Sequence, residues 1–240
     1  MNCKALVVTT FAILLVSGCE DKKEVGVEKV SNTQQVQTNI NKESESEKQE
    51  LKKNPLLILV NKNHAIDQNN RPTDLVIPKV RFPYEEDVEK KYIKKDAAEA
   101  LAEMFQAAEK ESLFLYGQSG YRSYERQVTI YNGNVQTMGE EKANAISAKP
   151  GESEHQTGLV MDITCEAVGF DVVEEFGETK EGKWVADNAH KYGFIIRYPK
   201  GKEEITGYSY EPWHLRYVGV KPATEITKKG ITLEEYLGEK

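Results

Sequence analysis

The sequence predicts an α+β fold over residues 51–240, with a small, mostly antiparallel sheet and flanking helices. Short apolar or alternating segments, which are typical of strands, are mixed with longer segments whose apolar residues recur at helical spacing. These segments show no regular strand–helix–strand repeat of the kind that builds a parallel sheet. The predicted domain has about 190 residues, which is an ordinary size for one hydrophobic core.

Residues 1–18 are predicted to form a lipoprotein signal peptide. Lys4 provides the positively charged N-terminal region of such a signal. Residues 5–16 are mostly apolar but too short for a permanent membrane helix. Val-Ser-Gly then precedes Cys19, a pattern that resembles the bacterial signal for cleavage before a lipid-modified cysteine. The alternative is an ordinary secretory signal with a chance cysteine. We expect lipidation at Cys19, which would hold the chain on the outer face of a membrane by acyl chains alone.

Residues 19–50 are predicted to be a flexible tether. The segment is rich in Lys, Glu, Ser, Asn and Gln and contains no aromatic residue, so it cannot bury enough apolar surface to offset the entropy of ordering. The formal net charge of the whole chain is −7. Because an acidic chain without a basic stripe is a poor ligand for polyanions, we expect no nucleic-acid partner.

The first part of the domain is predicted to contain two extended pieces and a long helix. Residues 56–60 form a short apolar run, and residues 74–78 read as extended because Pro78 disfavours helix at the position before it. Apolar residues then recur at helical spacing in an Ala- and Glu-rich segment, which predicts a helix from about 85 to 110. Residues 113–116 are predicted to be a central strand.

The second part of the domain is predicted to begin with a turn over residues 117–122 and a helix for which Ser123 is the N-cap. Residues 148–151 are predicted to be a loop, and strands are predicted at 158–164, 194–198 and 213–218. A helix over 183–190 should end at Gly193, a favourable C-cap residue. A capping box at 232–235 opens a last short helix.

Two clusters of polar residues predict a metal site with catalytic chemistry. His155, Asp162 and His214 are predicted to bind one zinc ion, because a catalytic zinc takes three protein ligands and leaves a position for water. Glu211 lies three positions before His214, and Pro212 favours an extended conformation there, so Glu211 is predicted to be the base. Each residue alone has an ordinary alternative, as a loop histidine, a turn carboxylate or a surface charge. Their occurrence together favours the metal.

These residues also carry a resemblance to a known family. Ser-x-His-x-x-Gly-x-x-x-Asp followed by Glu-x-x-His resembles the VanY-type zinc carboxypeptidases of bacterial cell walls, and most nearly the LdcB-type L,D-carboxypeptidases of Gram-positive bacteria. The resemblance extends over nearly the whole domain through residues 120–127, 151–158, 193–198 and 211–217. Val160 departs from the alanine usual in the family, without removing a ligand. The resemblance implies a Hedgehog/D-Ala-D-Ala-peptidase-like zinc fold.

The resemblance further implies a substrate and the residues that contact it. The substrate would be a peptidoglycan stem peptide that loses its C-terminal D-alanine. Arg122 would bind the terminal carboxylate through two parallel hydrogen bonds, and Ser153 would contact the substrate beside the metal. Gln127 either reaches the substrate or is an exposed helix residue. Tyr210 and Trp213 either wall the pocket or belong to the core.

Several alternatives remain open at this point. An L,D-carboxypeptidase acting on tetrapeptide is favoured, but a D,D-carboxypeptidase acting on pentapeptide or a stem endopeptidase would use the same zinc site. A peptidoglycan-binding pseudoenzyme is the non-enzymatic alternative, and the presence of Glu211 argues against it. We expect a monomer with one zinc ion per domain, located outside a bacterial, Gram-positive cell membrane.

The remaining histidines and one cysteine are given structural interpretations. His190 lies in a predicted amphipathic helix and His64 in a loop, and neither is predicted to bind the metal. Cys165 follows a predicted strand and has an alternative as a fourth ligand, but a lone cysteine is more often a small buried apolar residue. Arg216, two positions after His214, is predicted to form a structural or metal-supporting salt bridge.

Overall fold

The computed structural model describes residues 48–239. The predicted signal peptide, Cys19 and most of the predicted tether lie outside the described residues. Residues 48–53 are helical, so the predicted boundary at residue 50 falls inside a helix. Within the described range, no helix combines the length and the apolar character that crossing a membrane requires.

An antiparallel sheet of four strands forms the centre of the described chain and confirms the predicted α+β class. The strand order is β3-β4-β6-β5, and a separate two-stranded sheet pairs β1 with β2. The strands are β1 (Leu75–Val76), β2 (Ile93–Lys94), β3 (Tyr116–Ser119), β4 (Val160–Thr164), β5 (Phe194–Tyr198) and β6 (Glu211–Tyr217).

Helices flank this sheet and are joined to it by short turns. They are α1 (Lys95–Lys110), α2 (Tyr124–Met138), α3 (Glu140–Ile146), α4 (Lys180–Asn188), α5 (Glu203–Thr206), α6 (Val220–Lys229) and α7 (Leu233–Leu237). Several of the predicted end signals are confirmed. Ser123 accepts a hydrogen bond from the Arg126 amide at the start of α2, and Thr232 and Glu235 form the predicted capping box of α7.

The predicted long helix begins about ten residues later than expected, at Lys95. Its first part is instead a 3-10 turn (Glu89–Lys91) followed by β2. The reason is a set of long-range backbone hydrogen bonds: the Lys94 amide donates to the Gly158 carbonyl, and the Tyr121 amide donates to the Tyr92 carbonyl. Tertiary pairing therefore overrides a local helical pattern in this segment.

The strand predicted at 113–116 is also displaced. Residues 111–113 close the end of α1, because the amides of Glu111 and Leu113 both donate to the Ala108 carbonyl. The strand β3 starts at Tyr116, includes part of the predicted turn, and lies at the edge of the sheet rather than at its centre.

Two hydrophobic clusters lie on opposite faces of the sheet. The larger cluster packs α1 against β4 and β6, and the smaller one packs α6 and α7 against β5 and the segment around Leu57. Phe194 belongs to the larger cluster and Ile195 to the smaller, as expected for successive residues of a strand. Both faces thus carry apolar side chains, and Asp162, His214 and Arg216 lie on the same face as Ile195.

Candidate metal centre

The register of β4 and β6 sets two of the predicted metal ligands side by side. Asp162 pairs directly with His214 across the two strands. His155 lies in the 3-10 turn before β4, and Gly158 ends that turn with a left-handed φ of 70°. A Cβ at Gly158 would also approach Leu75 Cδ2 to 2.8 Å, but the left-handed conformation is the main reason for glycine here. The turn brings His155 back beside Asp162.

The three side chains form one buried cluster. Candidate ligand atoms of His155, Asp162 and His214 all lie within 4.8 Å of one another, and the residues are only 5%, 6% and 4% exposed. His155 Nε2 is 3.3 Å from Asp162 Oδ2, and His214 Nδ1 is 3.1 Å from Asp162 Oδ1. Asp162 Oδ1 nevertheless has no hydrogen-bond partner among the described residues. Two imidazole nitrogens and a carboxylate oxygen therefore fit a zinc ion.

The far nitrogen of each imidazole faces an oxygen, at hydrogen-bond distance for His155 and at a longer, ion-pair distance for His214. His155 Nδ1 lies 2.7 Å from the Gly120 carbonyl oxygen, and His214 Nε2 lies 3.5 Å from Glu154 Oε2. Burial disfavours a charge on His214, but its contacts with Asp162 and Glu154 outweigh burial and raise the pKa of His214 to about 9. Oxygen partners of this kind fix the orientation of metal-binding histidines and increase their basicity.

Glu154 belongs to a buried ion network that extends away from the metal cluster. Its Oε1 accepts hydrogen bonds from Arg197 Nε at 2.7 Å and from Arg216 Nη1 at 2.6 Å. Arg197 also donates to both oxygens of Glu234. Burial opposes the charge on Glu154, yet the two arginines hold its pKa well below the usual range. The salt bridge predicted for Arg216 is confirmed.

The sequence reasoning missed Glu154, Arg197 and Glu234. Two signals pointed to this network: an acidic residue directly before His155, and an arginine at a buried position in each of two strands. A charged residue at a buried strand position is seldom tolerated without a partner. The identity of that partner depends on how distant segments meet.

Glu211 lies at the first position of β6, with Oε2 3.5 Å from His214 Nδ1. Burial raises the pKa of Glu211 to about 7, and the charge of Asp162 adds to this while His214 acts in the opposite direction. A carboxylate with a pKa near neutrality can both take and return a proton at physiological pH. A cation held by the neighbouring cluster would favour its ionised form.

A cavity of about 250 Å³, which we call the metal-site cavity, exposes this cluster to the surface. Three of the predicted substrate-contacting residues line it, namely Arg122, Ser153 and Trp213. Tyr198 and Tyr208 also line it and were not predicted. Their rings are 4.7 Å apart, and the Tyr198 ring is 4.8 Å from that of His214. The cavity therefore combines charged groups with an aromatic wall.

Gln127 and Tyr210 do not line the metal-site cavity. Gln127 is buried, accepts a hydrogen bond from Arg122 Nη1 at 2.9 Å and donates to the Ala148 carbonyl at 2.6 Å. It therefore holds the Arg122 side chain in place, and its contact with a substrate stays a prediction. Tyr210 lies beside Gly177, and the neighbouring Tyr208 takes the position in the wall.

The two histidines and the cysteine that were not predicted to bind the metal lie away from the metal-site cavity. His64 Nδ1 contacts Asn61 Oδ1 in a local turn. His190 lies in the 3-10 turn Ala189–Tyr192 that follows α4. Cys165 is buried next to Thr179, and burial raises the pKa of its thiol. A buried thiol of this kind behaves as a small apolar residue.

A buried histidine pair with an aspartate and a nearby glutamate, built on a small antiparallel sheet, defines a candidate single-metal hydrolase. The chain belongs to the VanY family, described as D-alanyl-D-alanine carboxypeptidase, whose model matches residues 90–220. The matched segment contains all four of those side chains. The family predicted from the sequence motifs is thereby confirmed.

Individual relatives agree with this family. The chain is 59% identical over 181 residues to "Putative carboxypeptidase YodJ" of Bacillus subtilis (strain 168), a match that covers 75% of this chain and 66% of that relative's length. It is similar to the structure of the LdcB LD-carboxypeptidase, with 57% identity, a TM-score of 0.75, and coverage of 78% of this chain and 88% of that one. A mutant of the vancomycin resistance D,D-pentapeptidase VanY, solved in complex with Zn(II), is 34% identical with a TM-score of 0.62, covering 77% and 99% of the two chains.

Proposed function

We propose that this protein is a zinc-dependent carboxypeptidase that removes the C-terminal D-alanine from peptidoglycan stem peptides. The observation that carries the proposal is the buried cluster of His155, Asp162 and His214 with Glu211 beside it. The family match and the Zn(II) complex of the related VanY structure support it. The three ligands would hold one zinc ion, which supplies positive charge to polarise a carbonyl and to acidify water.

Glu211 is proposed to be the general base and then the general acid. Its carboxylate borders the metal-site cavity and contacts His214. It would take a proton from the attacking water and pass it to the amine of the departing D-alanine. Burial raises the pKa of Glu211, and a bound cation would lower it, so the zinc-loaded site would favour the ionised form that accepts the proton of the water.

Arg122 is proposed to bind the terminal carboxylate of the substrate. Its backbone amide donates to the His155 carbonyl, and Gln127 accepts from its guanidinium, so the side chain is fixed relative to the metal cluster. No carboxylate of the described residues lies within ion-pair distance of Arg122. A guanidinium so placed can make two parallel hydrogen bonds to an incoming carboxylate. The buried hydroxyl of Ser153 would add a contact beside the metal.

The bond cleaved is proposed to be the one before the last D-alanine of a tetrapeptide, which makes this an L,D-carboxypeptidase. The support is the 57% identity to the LdcB LD-carboxypeptidase, against 34% to the VanY D,D-pentapeptidase. Cleavage of the pentapeptide is the alternative, since the same zinc, base and arginine would serve both bonds.

The proposal is tested by incubating the purified protein with tetrapeptide and pentapeptide stems and identifying the products by mass spectrometry. We expect D-alanine release from the tetrapeptide, loss of release with a chelator, and recovery when zinc is returned. Preferential cleavage of the pentapeptide would replace the L,D assignment by D,D. If the zinc-loaded protein released D-alanine from neither stem, the carboxypeptidase proposal would be wrong.

We also propose that lipid attached at Cys19 holds the enzyme on the outer face of the cell membrane, where stem peptides occur. The support is the apolar segment 5–16 and the small residues before Cys19. A Cys19→Ser substitution should release the protein from the membrane fraction and remove the mass of the acyl chains. An unchanged membrane fraction in this variant would exclude the anchor.

A further inference from the structure

The wall of the metal-site cavity contains an acidic residue, Glu152, to which neither the metal nor the proton transfer gives a role. Glu152 directly precedes Ser153 and is partly buried. Its backbone is held on two sides, because its amide donates to the Lys149 carbonyl at 2.9 Å and its carbonyl accepts a hydrogen bond from the Tyr208 hydroxyl at 3.4 Å. The position of Glu152 is therefore fixed relative to the aromatic wall of the cavity.

The carboxylate of Glu152 has no cationic partner among residues 48–239. No basic side chain of that range lies within 4.0 Å of it, whereas the carboxylate of Glu154 pairs with two arginines. Lys62 Nζ lies 4.8 Å from the centre of the Tyr208 ring, but it donates to the Asn144 carbonyl at 3.3 Å. A partly buried carboxylate of this kind favours the binding of a cationic group from a ligand.

Glu152 and Arg122 act on different parts of the cavity. Burial raises the pKa of Tyr208, and the charge of Glu152 is the strongest charge that adds to this rise. Burial lowers the pKa of Arg122, and the charge that opposes this most is that of Asp162 in the metal cluster. The aromatic wall connects the two parts, because its tyrosine rings pack on each other and on a candidate metal-binding histidine. The metal cluster and the aromatic wall therefore lie between Arg122 and Glu152.

This order matches the direction of a bound stem peptide under the proposed function. The terminal carboxylate lies at Arg122 and the carbonyl of the cleaved bond lies at the metal. The residue before the cleaved bond then extends away from Arg122, towards the tyrosine rings. Methylene groups of its side chain can pack along those rings, while a charged group at the end of the side chain reaches Glu152.

We propose that Glu152 binds the side-chain ammonium group of the residue before the cleaved bond. The enzyme then selects stem peptides that carry a diamino acid with a free side-chain amine at that position. This inference rests on the proposed function, because the role of Arg122 sets the direction of the peptide. Acylation removes the charge of an amine, so stems whose side-chain amine is already joined to another peptide should be poorer substrates.

The test compares two stem tetrapeptides that end in D-alanine and differ only in the third residue, which is L-lysine in one and L-6-hydroxynorleucine in the other. The two side chains have the same length, and only lysine carries a charge. We expect kcat/KM to be higher for the lysine peptide by roughly fivefold, the effect of one partly exposed ion pair. The difference should lie in KM, because a contact remote from the reacting bond is made equally in the ground state and the transition state.

Substitutions at Glu152 show whether this residue causes the preference. Glu152→Gln conserves the shape of the side chain and should bring the ratio of the two kcat/KM values close to one. Glu152→Lys should favour a peptide with L-2-aminoadipate as its third residue, which places a carboxylate where lysine has its ammonium group. Glu204→Gln removes an exposed carboxylate that does not line the cavity, and it should leave the wild-type ratio unchanged.

A second readout does not depend on turnover. The tripeptide that remains after cleavage should bind the zinc-loaded protein roughly fivefold more tightly when it ends in lysine than when it ends in hydroxynorleucine. Isothermal titration calorimetry measures both affinities, and Glu152→Gln should remove the difference.

The outcomes separate this inference from the proposed function. If D-alanine is released but the lysine and hydroxynorleucine peptides are cleaved and bound equally, Glu152 does not have this role and the carboxypeptidase function still stands. A lysine preference that persisted in Glu152→Gln would overturn the role in the same way. If none of the peptides released D-alanine, the proposed function would fail, and this inference would fail with it.

Discussion

At the scale of single residues, Glu154 connects the metal cluster to the interior of the molecule. One of its oxygens faces His214 Nε2, and the other accepts hydrogen bonds from Arg197 and Arg216. The carboxylate therefore contacts a candidate metal ligand and also compensates two buried positive charges. Removing a charge from such a network is costly, because the partners that remain are buried without compensation.

The substitution Glu154→Gln tests this role while conserving the shape of the side chain. We expect the affinity for zinc to fall by about 10- to 100-fold, as is usual when the partner of a metal-binding histidine is lost. The affinity is measured by competition with a chromogenic chelator. Circular dichroism verifies that the variant is folded, and Glu166→Gln, on the exposed surface, is the matched control. Wild-type zinc affinity in folded Glu154→Gln protein would contradict the role.

A second prediction at the residue scale concerns Glu211. Because it is proposed to move protons and not to hold the metal, Glu211→Gln should retain one zinc ion and lose at least about 100-fold in kcat. Zinc content is measured by atomic absorption and kcat by release of D-alanine from the tetrapeptide. A variant that binds zinc and turns over at the wild-type rate would remove Glu211 from the base role.

At the scale of elements, the paired strands β4 and β6 position Asp162 opposite His214, and the strand β5 beside them supplies Arg197. The sequence predicted β5 with the observed bounds, because its apolar run is bordered by Gly193 and Pro199. Local signals sufficed there. They failed for residues 85–94, where the chain pairs with distant segments through its backbone and not through its side-chain pattern.

The helix α7 is attached to the sheet through Glu234, and this attachment should make the fold acid-sensitive. Burial opposes the charge of Glu234, but hydrogen bonds from Arg197 and Asn61 outweigh it and lower its pKa below the ordinary value of 4.5. A carboxylate whose pKa is lowered by folding stabilises the fold fully when the pH is above its pKa in the unfolded chain. That contribution is lost as the pH falls below about 4.5 towards the folded value.

We therefore expect Glu234→Gln to be less stable than the wild type at pH 7, by about 3 kcal/mol because a buried ion pair is broken. Its free energy of unfolding should then change less than that of the wild type when the pH is lowered from 5 to 3.5. Urea unfolding at both pH values measures this difference, with Glu175→Gln on the exposed surface as the control. Identical pH dependence in Glu234→Gln and the wild type would show that Glu234 does not link α7 to acid stability.

At the scale of the whole molecule, the site is assembled from residues that are far apart in the sequence. Glu154 and Arg197 are 43 positions apart, and Arg197 and Glu234 are 37 positions apart. The candidate metal ligands were predictable because each lies in a short recognisable motif. The ion network and the tyrosines of the cavity wall were not, because they depend on which distant segments meet.

We propose that a single zinc ion bound by His155, Asp162 and His214 is required for the carboxypeptidase activity of this chain. The most direct measurement titrates the metal-free protein with zinc and follows D-alanine release from the stem tetrapeptide in the same samples. Release should rise with added zinc and reach its plateau at one zinc ion per chain. Full release without zinc, or no release at any zinc concentration, would contradict the account.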